Sequence, residues 1–136
     1  NAIVLAIDLL MNSITKKLGA RAGMRAVFIN APADVMSVID VSYLKVADQL
    51  KEQFDYIHLF CKTLDELEIR FPRMKNHLTK AGMLVVSWPR AGHMSTDLSS
   101  AAVIRIGQQH GMTESKPVDL TAAWSALRFT FPERGS

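Results

Sequence analysis

"FDYIHLFCKTLDELEIRFPRMKNHLTKAGMLVVSWP" (Phe54–Pro89) is the stretch that decides the fold. It opens with DYIHLFC (55–61) and closes with MLVVSWP (83–89), two continuous apolar runs rich in β-branched and aromatic residues. Continuous runs of that length, without alternation, suit strands covered on both faces. Between them, Thr63 and Glu66 form the S/T-x-x-E capping box that marks a helix start. Leu64, Leu67, Ile69, Phe71, Met74 and Leu78 then predict a helix running to a stop at Gly82. Pro72 is expected to kink that helix or to open a second one at its first position.

Working outward toward the N-terminus, MRAVFIN (24–30) is a third apolar run and a third buried strand. MSVIDV (36–41) reads as a shorter strand, and SYLKVADQLKEQ (42–53) spaces Leu44, Ala47 and Leu50 as a helix. Residues 12–20 predict a short helix stopped by Gly19. Toward the C-terminus, Ser95 or Thr96 is placed to cap a helix through Gln109, with Ala101, Ile104 and Gln108 in step and Gly111 as terminator. SKPVDL (115–120) and LRFTF (127–131) flank a turn and read as a closing pair of strands. Strands alternating with helices imply an α/β domain, a mostly parallel sheet with helices on both faces. The last link is too short for a helical crossover, so the final strand is expected to run antiparallel.

The chain has 136 residues, with 16 Lys and Arg against 13 Asp and Glu, a net charge of +3. Residues 12–136 read as one domain, long enough to bury a core without disulfides. Asn1-Ala2 reads as the remnant of a purification tag, with residues 3–10 as an extension ahead of a native start at Met11. NAIVLAIDLLM falls short of the ~20 residues of a membrane span, and it lacks the charged start and cleavage site of a signal peptide. No membrane association is expected, and the apolar face of this segment points to a homodimer partner. The single cysteine, Cys61, implies a reducing, cytoplasmic setting. The basic clusters at Lys16, Lys17, Arg21 and Arg25 and at Arg70, Arg73, Lys75 and Lys80 read as solvated helix faces, so nucleic acid is not the expected partner. No spacing of His, Cys, Asp or Glu matches a metal site, and the G-x-S-x-G, Walker and H-E-x-x-H motifs are absent.

Ligands of open α/β sheets bind beyond the carboxyl ends of the parallel strands. That rule selects Asn30, Ala31, Pro32 and Asp34 after the first strand, Cys61 and Lys62 after the second, and Ser87, Trp88, Pro89 and Arg90 after the third. Arg90 carries a permanent charge with a planar donor fork, and the helix expected to open at Ser95, Thr96 and Asp97 offers N–H groups to an anion. The competing reading pairs Arg90 with Asp97. The candidate ligand-binding set is therefore Asn30, Pro32, Asp34, Trp88, Arg90, Ser95, Thr96 and Asp97, for a small anionic ligand. Asp40 stands near the end of the expected short strand, where an acid meets a ribose in nucleotide-binding sheets. His58, inside an apolar strand, reads as a hydrogen-bonded core imidazole, His77 as solvent-facing on its helix, and Cys61 as buried and inert.

KKLGARAGMRAVFINAP, FDYIHLF, GMLVVSWPR, STDL and AAWSALRF together resemble a bacterial domain family of unknown function. That family carries K-L-G, N-A-P after the first strand, W-P-K followed by T-D, and a late W-S-x-L. The resemblance spans Lys16 to Phe131 and implies a three-layer, Rossmann-like fold similar to a reduced class I methyltransferase. Arg90 replaces the family lysine, and Thr121 stands where relatives carry an acid three positions before the late tryptophan. Methyltransferases follow the first strand with a glycine-rich, acid-containing turn, whereas this chain reads Asn30-Ala31-Pro32-Ala33-Asp34. The leading functional expectation is a Rossmann-like domain that binds a small anionic ligand or a protein partner, with no cofactor assigned and no established catalysis. The alternative is an S-adenosylmethionine-dependent methyltransferase-like enzyme with a non-standard cofactor turn.

Overall fold

The structure is a computed structural model that describes residues 14–133. The expectations for residues 1–11 lie outside the described residues. The elements run α1 (Ile14–Lys17), β1 (Arg25–Ile29), α2 (Ala33–Met36), β2 (Lys45–Ala47), β3 (Phe54–Phe60), α3 (Leu64–Lys75), β4 (Leu78–Pro89), α4 (Ser100–Gln109), β5 (Thr113–Glu114), β6 (Val118–Asp119) and β7 (Trp124–Thr130). They form one sheet in the order β2-β1-β3-β4-β7-β5, with β6 also paired to β7. The strands from β2 to β4 are parallel, and β7 is antiparallel to β4, β5 and β6.

The three apolar runs are therefore the three adjacent parallel strands β1, β3 and β4, and their carboxyl ends share one rim. Side chains alternate across the pleat. Ile57 and Leu59 of β3, with Leu84, Val86 and Trp88 of β4, join Leu67, Phe71, Val103 and Ile106 of α3 and α4 in one core. Tyr56 and Phe60, with Met83 and Val85, join Val35, Ile39 and Leu44 in a second core on the other face. Two cores on two faces make the three layers. This is why the strand sequences lack alternation: each face has its own hydrophobic partner.

Thr63 is the N-cap of α3, accepting from Glu66 N at 3.1 Å, as the capping box predicts. The helix passes through Pro72 without ending, then stops at Lys75 with Asn76 as its C-cap. Gly82 is accordingly no helix stop. It lies in β4, beside a register shift against β3, where a Cβ would meet the Phe54 and Thr79 carbonyls at 3.0 Å. His77 lies past the helix end rather than on it, with Nδ1 2.6 Å from the Glu52 carbonyl.

The segment between β1 and β3 departs most from expectation. Residues 36–41 form no strand; they complete the single turn of α2 and a following turn. Residues 42–53 form no helix, because Lys45–Ala47 is the edge strand β2. Only three residues pair there, and among the described residues no strand pairs with its other side, so no periodic apolar pattern is required of it. Val46 is left exposed. Asp40 does not end a strand. Its carboxylate accepts from Ser42 N at 3.0 Å and Ser42 Oγ at 2.6 Å in a local turn, and those bonds hold its carboxyl below the usual carboxylate range.

Candidate functional site

The chain leaves β1 for β2 on one side, then returns past β1 to β3 on the other, so the strand order reverses between β1 and β3. That reversal opens a crevice beyond the strand tips. At its centre is Asn30, with a φ of 60°, in the left-handed region that glycine favours. Asparagine is one of the few other residues that tolerates it, so a turn without glycine still takes a left-handed step at the strand end. Pro32 follows as the N-cap of α2 with φ −64°, a value its ring pre-sets.

Two hollows meet at Asn30, each of about 480 Å³. The first lies toward β2, with Phe28, Met36 and Val46 as apolar wall and Asp48 at the end of β2 as its acid. The second lies over the tip of β3, lined by Pro32, Phe60, Lys62, Trp124 and, from α3, Glu66 and Arg70. Trp124 meets Phe60 edge-on at 5.3 Å, closing the floor. Both volumes fall within the range of small-molecule sites. A larger hollow of about 840 Å³ opens at Gln53, Leu78 and Lys80, on the amino-terminal rim of the parallel strands. The strand-tip rule favours the smaller crevice at the opposite rim.

Of the residues predicted for ligand binding, the structure gathers Asn30 and Pro32 at this crevice. Asp34 sits nearby, exposed on α2, but lines neither hollow. Trp88 is 4% exposed and belongs to the core beneath α3 and α4. It sits on the opposite pleat from Phe60 and Trp124, so the late tryptophan, not Trp88, borders the crevice. Arg90 does not pair with Asp97. Its guanidinium lies 3.6 Å from Asp119, and its N–H donates to the Ala123 carbonyl, fastening the end of β4 to the β6–β7 turn. Both partners of that ion pair are exposed, so it contributes about 0–1 kcal/mol.

The helix expected at Ser95 or Thr96 begins later, with Ser99 as N-cap accepting from Ala102 N at 3.2 Å. Ser95, Thr96 and Asp97 instead form a loop laid against α3. The Thr96 hydroxyl donates to the Lys62 carbonyl at 2.7 Å and accepts from Leu98 N, and the Asp97 carboxylate accepts from Leu64 N at 2.8 Å. Asp97 thus caps a helix 33 residues upstream, taking an N–H that the helix itself leaves unpaired. Asp97→Ala is expected to lower stability by about 1 kcal/mol, with Ser95→Ala unchanged, in urea denaturation. Equal values for the two variants refute the capping role.

Asp48 stands in no sequence-based candidate set, and Arg70 stands only in the basic cluster that reads as a solvated helix face. VAD (46–48) reads in sequence as part of a helix, which hides Asp48; a three-residue strand followed by an acid is the available signal. Arg70 occupies a helix position that in sequence is indistinguishable from a solvent face. His58 is wholly buried, with Nδ1 3.1 Å from the Tyr56 hydroxyl and Nε2 2.7 Å from the Ser87 hydroxyl, a core imidazole as read. Cys61 is also buried. Its thiol is pushed up by burial and then by the neighbouring Glu66 carboxylate, which keeps it protonated and unreactive.

No family model and no curated protein matches this chain in sequence. Solved structures do match in fold. A ribosomal protein L11 methylase from Lactobacillus delbrueckii subsp. bulgaricus is similar with a TM-score of 0.61 at 9% identity, over 92% of this chain and 78% of that one. A methyltransferase from Pyrococcus furiosus gives 0.58 at 12% identity, over 92% and 81%. A precorrin-6y C5,15-methyltransferase from Geobacter metallireducens gives 0.57 at 9%, over 86% and 84%. The fold of this chain is thus the Rossmann-like α/β fold of class I methyltransferases, with a mostly parallel sheet and antiparallel strands at its C-terminal side.

Proposed function

We propose that this chain is an S-adenosylmethionine-binding, methyltransferase-like domain, in preference to a ligand-binding domain without catalysis. The observation that carries the reading is the hollow between β1 and β2, where Asn30 and Asp48 line the same cavity beside the strand-order reversal. The residues there fit a nucleoside. Phe28, Met36 and Val46 would hold a flat base against an apolar wall. Asp48 would accept from the ribose hydroxyls, and the Asn30 amide offers a donor and an acceptor at the turn. The left-handed Asn30 answers the missing glycines in part, since the turn keeps a glycine-like backbone step.

When bound, S-adenosylmethionine supplies an electrophilic methyl group. The second hollow would seat the acceptor, with Pro32, Phe60 and Trp124 as its stiff apolar part and Lys62, Glu66 and Arg70 as its polar part. The N-A-P, W-P and W-S-x-L motifs further support membership of the bacterial family of unknown function, and the free, buried Cys61 supports a reducing compartment.

Calorimetric titration with S-adenosylmethionine and with its demethylated product tests the reading. Saturable binding is expected for both, with ligand at 100-fold over Kd raising stability by about 2.7 kcal/mol. Asp48→Ala is expected to weaken that binding about 10-fold or more, while Asp34→Ala leaves it unchanged. Absence of binding by either compound removes the proposal.

A further inference from the structure

The sequence points to Arg90 as the cation that would hold an anionic ligand, but the structure commits Arg90 to Asp119. Two other cations line the crevice. Lys62 follows the tip of β3, and Arg70 reaches the same hollow from the second turn of α3. Among the described residues neither side chain has an ion-pair or hydrogen-bond partner. One carboxylate, Glu66, shares the hollow, one helical turn before Arg70 and beside the buried Cys61 thiol. The local balance is two positive charges against one negative, over a floor of Phe60 and Trp124.

Two cations that line one concave hollow attract an anion together, and the half-buried Arg70 is screened less by water than a side chain on an open face. The guanidinium adds a planar donor fork that matches two oxygens of one group. We propose that Lys62 and Arg70 form the recognition site for a carboxylate or phosphate on a small acceptor molecule seated between Asn30 and Trp124. Calling that molecule the acceptor rests on the methyltransferase reading; the anion site itself does not. Arg73, one turn further along α3, lines with Glu66, Ile69 and Arg70 an outer hollow on the helix but is absent from the lining of the crevice, so it contributes only to the surrounding field.

The test is a titration of the full chain, without S-adenosylmethionine, followed by amide and side-chain chemical shifts. The probes are benzoate, phenyl phosphate and inorganic phosphate, with neutral benzamide as the uncharged control. Saturable shifts at Asn30, Lys62 and Arg70 are expected with at least one anion and not with benzamide. Tighter saturation by benzoate assigns the recognised group as a carboxylate, and tighter saturation by a phosphate compound assigns it as a phosphate. Arg70→Gln and Lys62→Gln are each expected to raise Kd about 10-fold, with Arg90→Gln and Arg73→Gln within about 2-fold of the parent. Benzamide binding as well as benzoate, equal weakening by Arg73→Gln and Arg70→Gln, or no saturation by any anion overturns the inference. A null anion titration alongside intact cofactor binding removes this site alone. Intact anion binding alongside failed cofactor binding removes only the methyltransferase reading.

Discussion

Acidification from about pH 7 to about pH 4 is expected to remove about 3 kcal/mol of folding stability through one residue, His58. Its imidazole is 0% exposed, stacked on Phe60 with ring centroids 4.4 Å apart, and held between the Tyr56 and Ser87 hydroxyls. Burial disfavours the charged ring and lowers its pKa from 6.5 to about 3. Below the ordinary histidine pKa the unfolded chain takes up a proton that the folded chain refuses, so stability falls as pH falls. The loss begins near pH 6.5 and is complete near pH 3, with a limiting slope of about 1.4 kcal/mol per pH unit. Asp40, whose carboxyl lies below its usual 3.8, loses its contribution only at lower pH, so the window above about pH 4 separates the two.

Urea denaturation across that window, for the parent chain and for His58→Gln, measures the effect. The variant is expected to be less stable near neutrality by about 2 kcal/mol, because the Tyr56 and Ser87 hydroxyls lose well-placed partners. Its stability is expected to be nearly flat between about pH 6.5 and 4. A parent chain that is itself flat there, or a variant that keeps the slope, contradicts the assignment.

Gly107→Ala is the second large effect, and its sign opposes helix propensity. In an exposed helix interior this exchange gains about 1 kcal/mol. Here α4 presses its backbone onto β7, and a Cβ on Gly107 would stand 2.0 Å from Phe129 Cε1, with Cδ1 at 2.5 Å and Cζ at 2.6 Å. The Phe129 ring is fully buried and held edge-on by Phe71 at 5.2 Å, and Phe71 stacks in turn on His110. A fully buried ring that rests on Phe71 yields only by repacking the core, and otherwise the helix must lift off the sheet. Destabilisation of about 3 kcal/mol and a Tm lower by about 10 °C are expected in a thermal melt. Gly107→Ala combined with Phe129→Leu is expected to cost less than the sum of the two single changes, because the smaller side chain relieves the overlap. A single variant as stable as the parent refutes the close approach.

The crevice was half legible before the structure. Asn30 and Pro32 were found because they follow a strand that announces itself, and the strand-tip rule needs no side-chain detail. Trp88 and Arg90 were found by the same rule and then separated from the crevice by two things it does not contain. The pleat sends Trp88 to the far face, and Asp119 on the β6 hairpin captures Arg90. The loop at Ser95–Asp97 reads as a helix start because Ser, Thr and Asp are good caps anywhere; the bond from Leu64 N to Asp97 joins residues 33 apart and leaves no local trace.

Local sequence is enough to dictate the α/β class, the three adjacent parallel strands with an antiparallel strand beside them, and the Thr63 helix start. Those features rest on apolar runs and on a cap within one helical turn, and both act over a few neighbouring residues. Contacts between residues far apart in the chain set the edge strand β2, and hence the place of Asp48, the partner of Arg90, and the meeting of Lys62 with Arg70. An exposed strand of three residues carries no burial pattern, and a charge takes its role from whichever group the fold brings beside it.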